Sequence, residues 1–184
     1  MKEKKTYIDA NTLLLDSFKL ARKIWEDEYV PDYLIALWRG GTPVGIAIHE
    51  FFRFKGHEPY HTAIKTQSYT GFTSSGKVDV KGIEHVLELV KAGDRMLLVD
   101  DVFDTGSTIR EVQRIIRAKA RSNAPEIRVA TVYYKPRRNE GEKCPDYFLR
   151  AIDGWIVFPH ELDGLSSEEH MEKGDKLYRV IYEK

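Results

Sequence analysis

The sequence predicts an α/β fold: a doubly wound, mostly parallel sheet flanked by helices. Three observations predict it. Short apolar runs of strand length alternate with stretches of helical period. The apolar runs at 33–38 and 96–99 are continuous rather than alternating, as in strands covered on both faces. The chain has 184 residues, enough for one domain with a core under several strands.

Asp9 and Asn11 are candidate N-caps for a helix carrying Leu13, Leu14, Leu15, Phe18, Leu20, Ala21, Ile24 and Trp25. Tyr33 to Trp38 reads as a strand stopped by Gly40-Gly41. Pro43 to Phe54 reads as a helix with its proline in the first turn. Tyr60 to Tyr69 suits a strand, and the Thr, Ser and Gly of 70–79 suit a loop. A short helix at 83–90 and a strand at 96–99 follow, the strand ending at Asp100-Asp101. Ser107 to Ala120 is a helix and Ile127 to Tyr134 a strand. Short pieces at 147–152 and 155–158 precede a polar tail with no readable motif beyond Leu162. In open α/β sheets ligands bind beyond the carboxyl ends of the strands, which here means after Trp38, Tyr69 and Val99.

Formal net charge is zero, so the balance of charge gives no general affinity for nucleic acid or membrane. The single cysteine, Cys144, cannot form an internal disulfide. Met1-Lys2-Glu3-Lys4-Lys5 has no apolar core of a signal peptide, and no run reaches membrane-spanning length. The expected location is the cytoplasm.

The chemically richest segment is Met96-Leu97-Leu98-Val99-Asp100-Asp101-Val102-Phe103-Asp104-Thr105-Gly106-Ser107-Thr108. An apolar strand ends in paired carboxylates, and a third acid precedes a small-residue turn that opens a helix. Backbone N–H groups and hydroxyls of Thr105, Gly106, Ser107 and Thr108 can converge on one phosphate at the helix N-terminus. Asp100 and Asp101 are acceptors for a ribose diol or a magnesium shell. No G-K-[ST] is present, so this is not a Walker A loop.

This segment closely resembles the phosphoribosyl pyrophosphate (PRPP) motif of type I phosphoribosyltransferases. The resemblance implies that Asp100 and Asp101 hold the ribose hydroxyls and that 104–108 hold the 5-phosphate. In 6-oxopurine members the third acid, here Asp104, is the proposed acceptor of the purine N7 proton. Leu37-Trp38-Arg39-Gly40-Gly41 resembles the family's pyrophosphate loop, with Arg39, Gly40 and Gly41 as its donors and a cis peptide expected at Trp38–Arg39. Ser68-Tyr69 resembles the start of a lid that excludes water. Asp153-Gly154-Trp155-Ile156-Val157-Phe158-Pro159-His160-Glu161 resembles the base-binding hood of xanthine-guanine and hypoxanthine enzymes. Trp155 would stack on the purine and the Ile156 backbone would read its edge; Glu161 stands where the family often has an Asp near magnesium. Either Lys135 or Lys143 would meet the purine 6-oxo group, with Lys135 preferred.

The resemblance thus implies a magnesium-dependent purine phosphoribosyltransferase, acting on PRPP and a 6-oxopurine, as a homodimer or homotetramer. It implies one domain with a core at about 30–135, and a hood at about 136–162 joined by the N-terminal segment. The PRPP motif is shared by enzymes for uracil, orotate and adenine, so a different acceptor base stays open. A PRPP-sensing regulator that binds nucleic acid is the other alternative. About 30 residues precede the first strand of the sheet, too few for an added helix-turn-helix domain. Its RNA-binding form needs a basic face, for which Arg114, Arg117, Lys119, Arg121 and 135–138 are the candidates.

Overall fold

The structure, a computed structural model, describes residues 5–68, 78–140 and 144–183. Strand β1 (Lys5–Tyr7) leads into helix α1 (Ala10–Glu26). Asp9 caps that helix by accepting from the Thr12 N–H at 3.0 Å, while Asn11 lies inside the first turn. Then follow β2 (Tyr33–Trp38), α2 (Gly41–Phe54), β3 (Tyr60–Ser68), β4 (Val78–Lys81) and α3 (Glu84–Leu89). The chain continues through β5 (Arg95–Phe103), α4 (Ser107–Ala120), β6 (Glu126–Tyr134), β7 (Tyr147–Ala151) and β8 (Trp155–Val157). Two helices close it, α5 (Ser167–Glu172) and α6 (Asp175–Tyr182).

The main sheet has the order β4-β3-β2-β5-β6-β7, parallel throughout except for β4 against β3. Successive strand residues face opposite sides, so each strand feeds two cores. Leu34, Leu97 and Val99 pack with Leu20 and Ile24 of α1 and Val44, Ile48 and Phe52 of α2. Ile35, Met96 and Leu98 pack with Val86 beside α4's Ile109, Val112 and Ile116 on the other face. Full burial of each such aliphatic contributes roughly 1.5–3 kcal/mol, which is what fixes strand register.

Several expectations need correction. Strand β5 does not stop at the acids but runs to Phe103, because Val102 and Phe103 stay in register with Tyr133 and Tyr134 of β6. Its pairing with β2 does end at Ala36↔Val99, so Asp100 and Asp101 present their other edge to the loop after β2. Strand β7, assigned by sequence to the hood, is the sixth strand of the main sheet. Strand β4 takes up Val78 and Asp79, expected in a loop. The tail is helical, with a reciprocal capping box between Ser166 and Glu169. The hood is a second sheet in which β1 and β8 pair in parallel, Lys5 with Trp155. Among the described residues no helix is long and apolar enough to cross a membrane.

Candidate active site

Two loops meet at the carboxyl ends of the adjacent strands β2 and β5. The first is Arg39-Gly40-Gly41, with a cis Trp38–Arg39 peptide as the resemblance implied. Helix α2 opens here without a side-chain cap; its Thr42 N–H donates to the Arg39 carbonyl at 3.2 Å and Pro43 has no N–H, so the Gly40 and Gly41 N–H groups are the ones that can meet an anion. The glycines are required by contact with β5. A Cβ on Gly40 would stand 2.2 Å from an Asp101 carboxylate oxygen, and one on Gly41 would stand 2.2 Å from the Val99 carbonyl. No side chain fits between this loop and the acids.

The second is the turn from β5 into α4, which follows the two acids in the last part of that strand. Residues 102–109 and Asp100 line a hollow of about 80 Å³. Gly106 takes a left-handed conformation (φ +76°) against the Phe103 ring, which leaves α4 without a side-chain cap. Thr105 and Ser107 share a hydroxyl hydrogen bond of 2.9 Å beside that helix start. A helix start with hydroxyls beside it can offer donors to an anion. Burial, and next the charge of Asp101, push the Asp100 carboxyl well above the usual range. Asp100 Oδ1 accepts from the Asp101 N–H at 3.0 Å, and the pair can take further hydroxyl donors or a cation.

Asp104 is differently placed. Its Oδ2 lies 3.1 Å from the Lys135 ammonium and its Oδ1 lies 2.6 Å from Arg138 Nε. Lys135 follows β6 and is only 7% exposed, and its backbone N–H donates to the Phe103 carbonyl at 2.9 Å. It is therefore a buried lysine held beside Asp104, not a solvated surface one. Lys143, the other candidate, lies outside the described residues, as does Tyr69; Ser68 ends β3.

In the hood, Trp155 is 50% exposed while Ile156 is buried. The Lys5 ammonium stands 5.7 Å from the centroid of the Trp155 ring. Glu161 closes its own turn: its Oε2 accepts from the Phe158 N–H at 3.1 Å. The hood residue that reaches the acids is His160, with Nε2 3.4 Å from Asp101 Oδ2. No role was expected of His160 from the sequence, although a histidine beside a strand end is a signal for polar contact. Lys173 of the tail was missed altogether. It donates to the carbonyls of Phe158 (2.5 Å) and Glu161 (2.7 Å).

Part of the basic runs considered for nucleic acid is paired with acids. Arg114 pairs with Glu111 at 2.7 Å, Lys119 with Glu84 at 3.2 Å and Arg137 with Asp153 at 3.3 Å. Among the described residues no three His, Cys, Asp or Glu side chains close a metal site. Asp100 and Asp101 have the chemistry to complete a magnesium shell built mainly from substrate oxygens.

The sequence pattern of the phosphoribosyl transferase domain matches residues 5–166. The chain is 36% identical over 132 residues to a xanthine-guanine phosphoribosyltransferase of Chromohalobacter salexigens, covering 70% of this chain and 68% of that one. It is 30% identical over 167 residues to the xanthine-guanine phosphoribosyltransferase of Desulfotalea psychrophila, covering 87% and 89%. The crystal structure of a purine phosphoribosyltransferase from Pyrococcus horikoshii superposes with a TM-score of 0.68 at 26% identity, covering 88% of this chain and 97% of that one.

Proposed function

This chain belongs to the phosphoribosyl transferase domain family, and we propose that it transfers the 5-phosphoribosyl group of PRPP to a 6-oxopurine, releasing pyrophosphate, in purine salvage. The observation that carries the purine assignment is the Lys135–Asp104 pair. A 6-oxopurine offers O6 and N7 side by side on one edge. An ammonium and a carboxylate held 3.1 Å apart match that edge, the lysine for O6 and the acid for a proton on N7.

The residues then divide the work. Backbone N–H groups and hydroxyls of 105–108 bind the 5-phosphate at the start of α4. Asp100 and Asp101 accept from the ribose hydroxyls, and their charge favours positive charge developing on the sugar. Arg39 and the Gly40-Gly41 amides hold pyrophosphate. Trp155 stacks on the base. Without substrate, Asp104 is paired with Lys135 and Arg138. When Lys135 turns to O6 it loosens its hold on Asp104, whose carboxylate is then free to accept the N7 proton as N9 attacks C1. Much of the acceleration comes from holding the two substrates in line. Magnesium bound with PRPP supplies neutralising charge to the leaving pyrophosphate.

The test is pyrophosphate release with PRPP, magnesium and one base at a time: hypoxanthine, guanine, xanthine, adenine, uracil or orotate. Turnover confined to 6-oxopurines is expected. Turnover with another base alone would keep the PRPP site and discard the roles of Trp155 and Lys135. PRPP binding with no turnover would favour a regulator.

The same reading places the protein in the cytoplasm and pairs it with a second copy. The outer face of α2 supports that pairing: Trp38 and Ile46 are exposed, beside a cavity of about 520 Å³. Glu50 and Arg53 on that face can exchange partners across a two-fold axis. Ile46→Glu is expected to yield monomer in light scattering; an unchanged oligomer would move the interface elsewhere.

A further inference from the structure

The hood and the PRPP loops come from opposite ends of the chain, yet one side chain joins them. Asp101 is 6% exposed and is boxed in on two sides. On one side is the backbone of Gly40, on the other the His160 imidazole, Nε2 to Oδ2 3.4 Å. The imidazole is itself held. It stacks on Phe158 with ring planes 13° apart and centroids 5.6 Å apart. Its Nδ1 is buried with no hydrogen-bond partner, so Asp101 is the one polar group the ring addresses among the described residues.

The turn bearing His160 is tied from within and from without. Within it, the Glu161 N–H donates to the Phe158 carbonyl at 3.1 Å and the Glu161 carboxylate accepts from the Phe158 N–H. From outside, Lys173 at the end of α5 donates to the carbonyls of both residues. The lysine is partly desolvated there, which pulls its pKa below the usual value. A lysine placed at that cost serves the geometry of the turn. His170 of α5 adds a contact of 2.9 Å to the Leu162 carbonyl, and Glu169 pairs with Lys5 of β1 at 2.6 Å. The tail therefore fixes the hood, and the hood fixes His160.

We infer that His160 is a positioning residue for PRPP: held by the α5 clamp through Lys173, it keeps the Asp101 carboxylate turned toward the ribose. The inference rests on the transferase reading above. It gives the motif-free tail a role, because loosening α5 disturbs a carboxylate in the PRPP half of the site without touching it. It also links base side to sugar side, since Trp155 and His160 share the hood.

Calorimetric titration of PRPP with magnesium into wild type, H160F, H160Q and K173M tests it. Phenylalanine keeps the stack on Phe158 and removes the nitrogen; glutamine returns a donor near the Nε2 position. H160F is expected to weaken PRPP binding about tenfold, the size of one lost polar contact to a carboxylate. H160Q should recover to within about threefold of wild type, and K173M should fall between the two. In turnover assays H160F should raise the PRPP KM far more than it lowers kcat. Wild-type affinity in H160F, or equal loss in H160F and H160Q, would overturn the inference, because packing rather than the nitrogen would then matter. If H160F does not fold, K173M decides, and unchanged PRPP affinity there overturns the clamp. Wild-type protein that binds no PRPP would overturn the transferase reading itself, and the inference with it.

Discussion

Asp16 and Asp100 are the same residue type in opposite circumstances. Asp16, on α1, is 1% exposed. Burial alone would raise its pKa, but Arg150 (2.6 and 3.2 Å) and Lys19 (3.0 Å) outweigh it and hold the carboxyl below the usual range. Asp100, at the open end of β5, has burial and the Asp101 charge both acting to raise it. The fold answers the first carboxylate internally and leaves the second for a ligand. Asp104 stands between them, paired with two cations on flexible stems that can leave. Closed pairs mark the scaffold, and open or releasable ones mark the site.

The contrast can be broken in order of effect. Asp104→Asn should lower kcat by about 10²–10⁴ and change the PRPP KM much less, if the releasable carboxylate is the proton acceptor. An unchanged kcat in steady-state assays would remove that role. Arg150→Met strips the scaffold carboxylate of its fork. It should cost about 2–3 kcal/mol, low for a broken buried pair because Arg150 is half exposed, and lower Tm by about 5–10 °C. The sign with pH is fixed. The folded pKa of Asp16 is depressed, so the pair's stability is fully present above the ordinary 3.8 and is lost as pH falls through the lower folded value. Melts of wild type and variant should therefore converge in strong acid. Trp155→Ala should raise the purine KM by about 5–100-fold, the range for a lost stacking contact. A change confined to PRPP would discard the hood assignment. The smallest effect is the most diagnostic. Asp100→Asn relieves a like-charge pair, so Tm of the ligand-free protein should rise by about 2–4 °C, near 1 kcal/mol, while PRPP binding is lost. A lower Tm would mean that Asp100 is structural.

Local features were legible in sequence. The strand at 33–38, the α4 span and the acid-rich turn at 100–108 announce themselves through apolar runs and small residues within a dozen positions. What was missed lies in contacts between distant segments. β1 is a three-residue Lys-Thr-Tyr strand with no pattern of its own. β5 continues past its acids because β6 supplies partners there, which no window around Asp101 reveals. Glu161 took its expected role from resemblance, and the structure turns it to its own backbone. The clamp of Lys173 on 158–161 is likewise tertiary. The start of α5 is the opposite case: Ser166-Ser167-Glu168-Glu169 carries the spacing of a capping box within four residues, a local signal of a helix that the polar composition of the tail obscured.

The pairing of Lys5 with Trp155 also bears on the order in which the molecule is made. A chain emerging from the ribosome can bring β2, β3 and β5 together, and so assemble the phosphate-holding loops, before residue 155 is free to pair. The base platform must wait for its second strand, and closing so long a loop is slow. A nascent chain would thus acquire its grip on the sugar phosphate before it acquires the platform on which the base stacks.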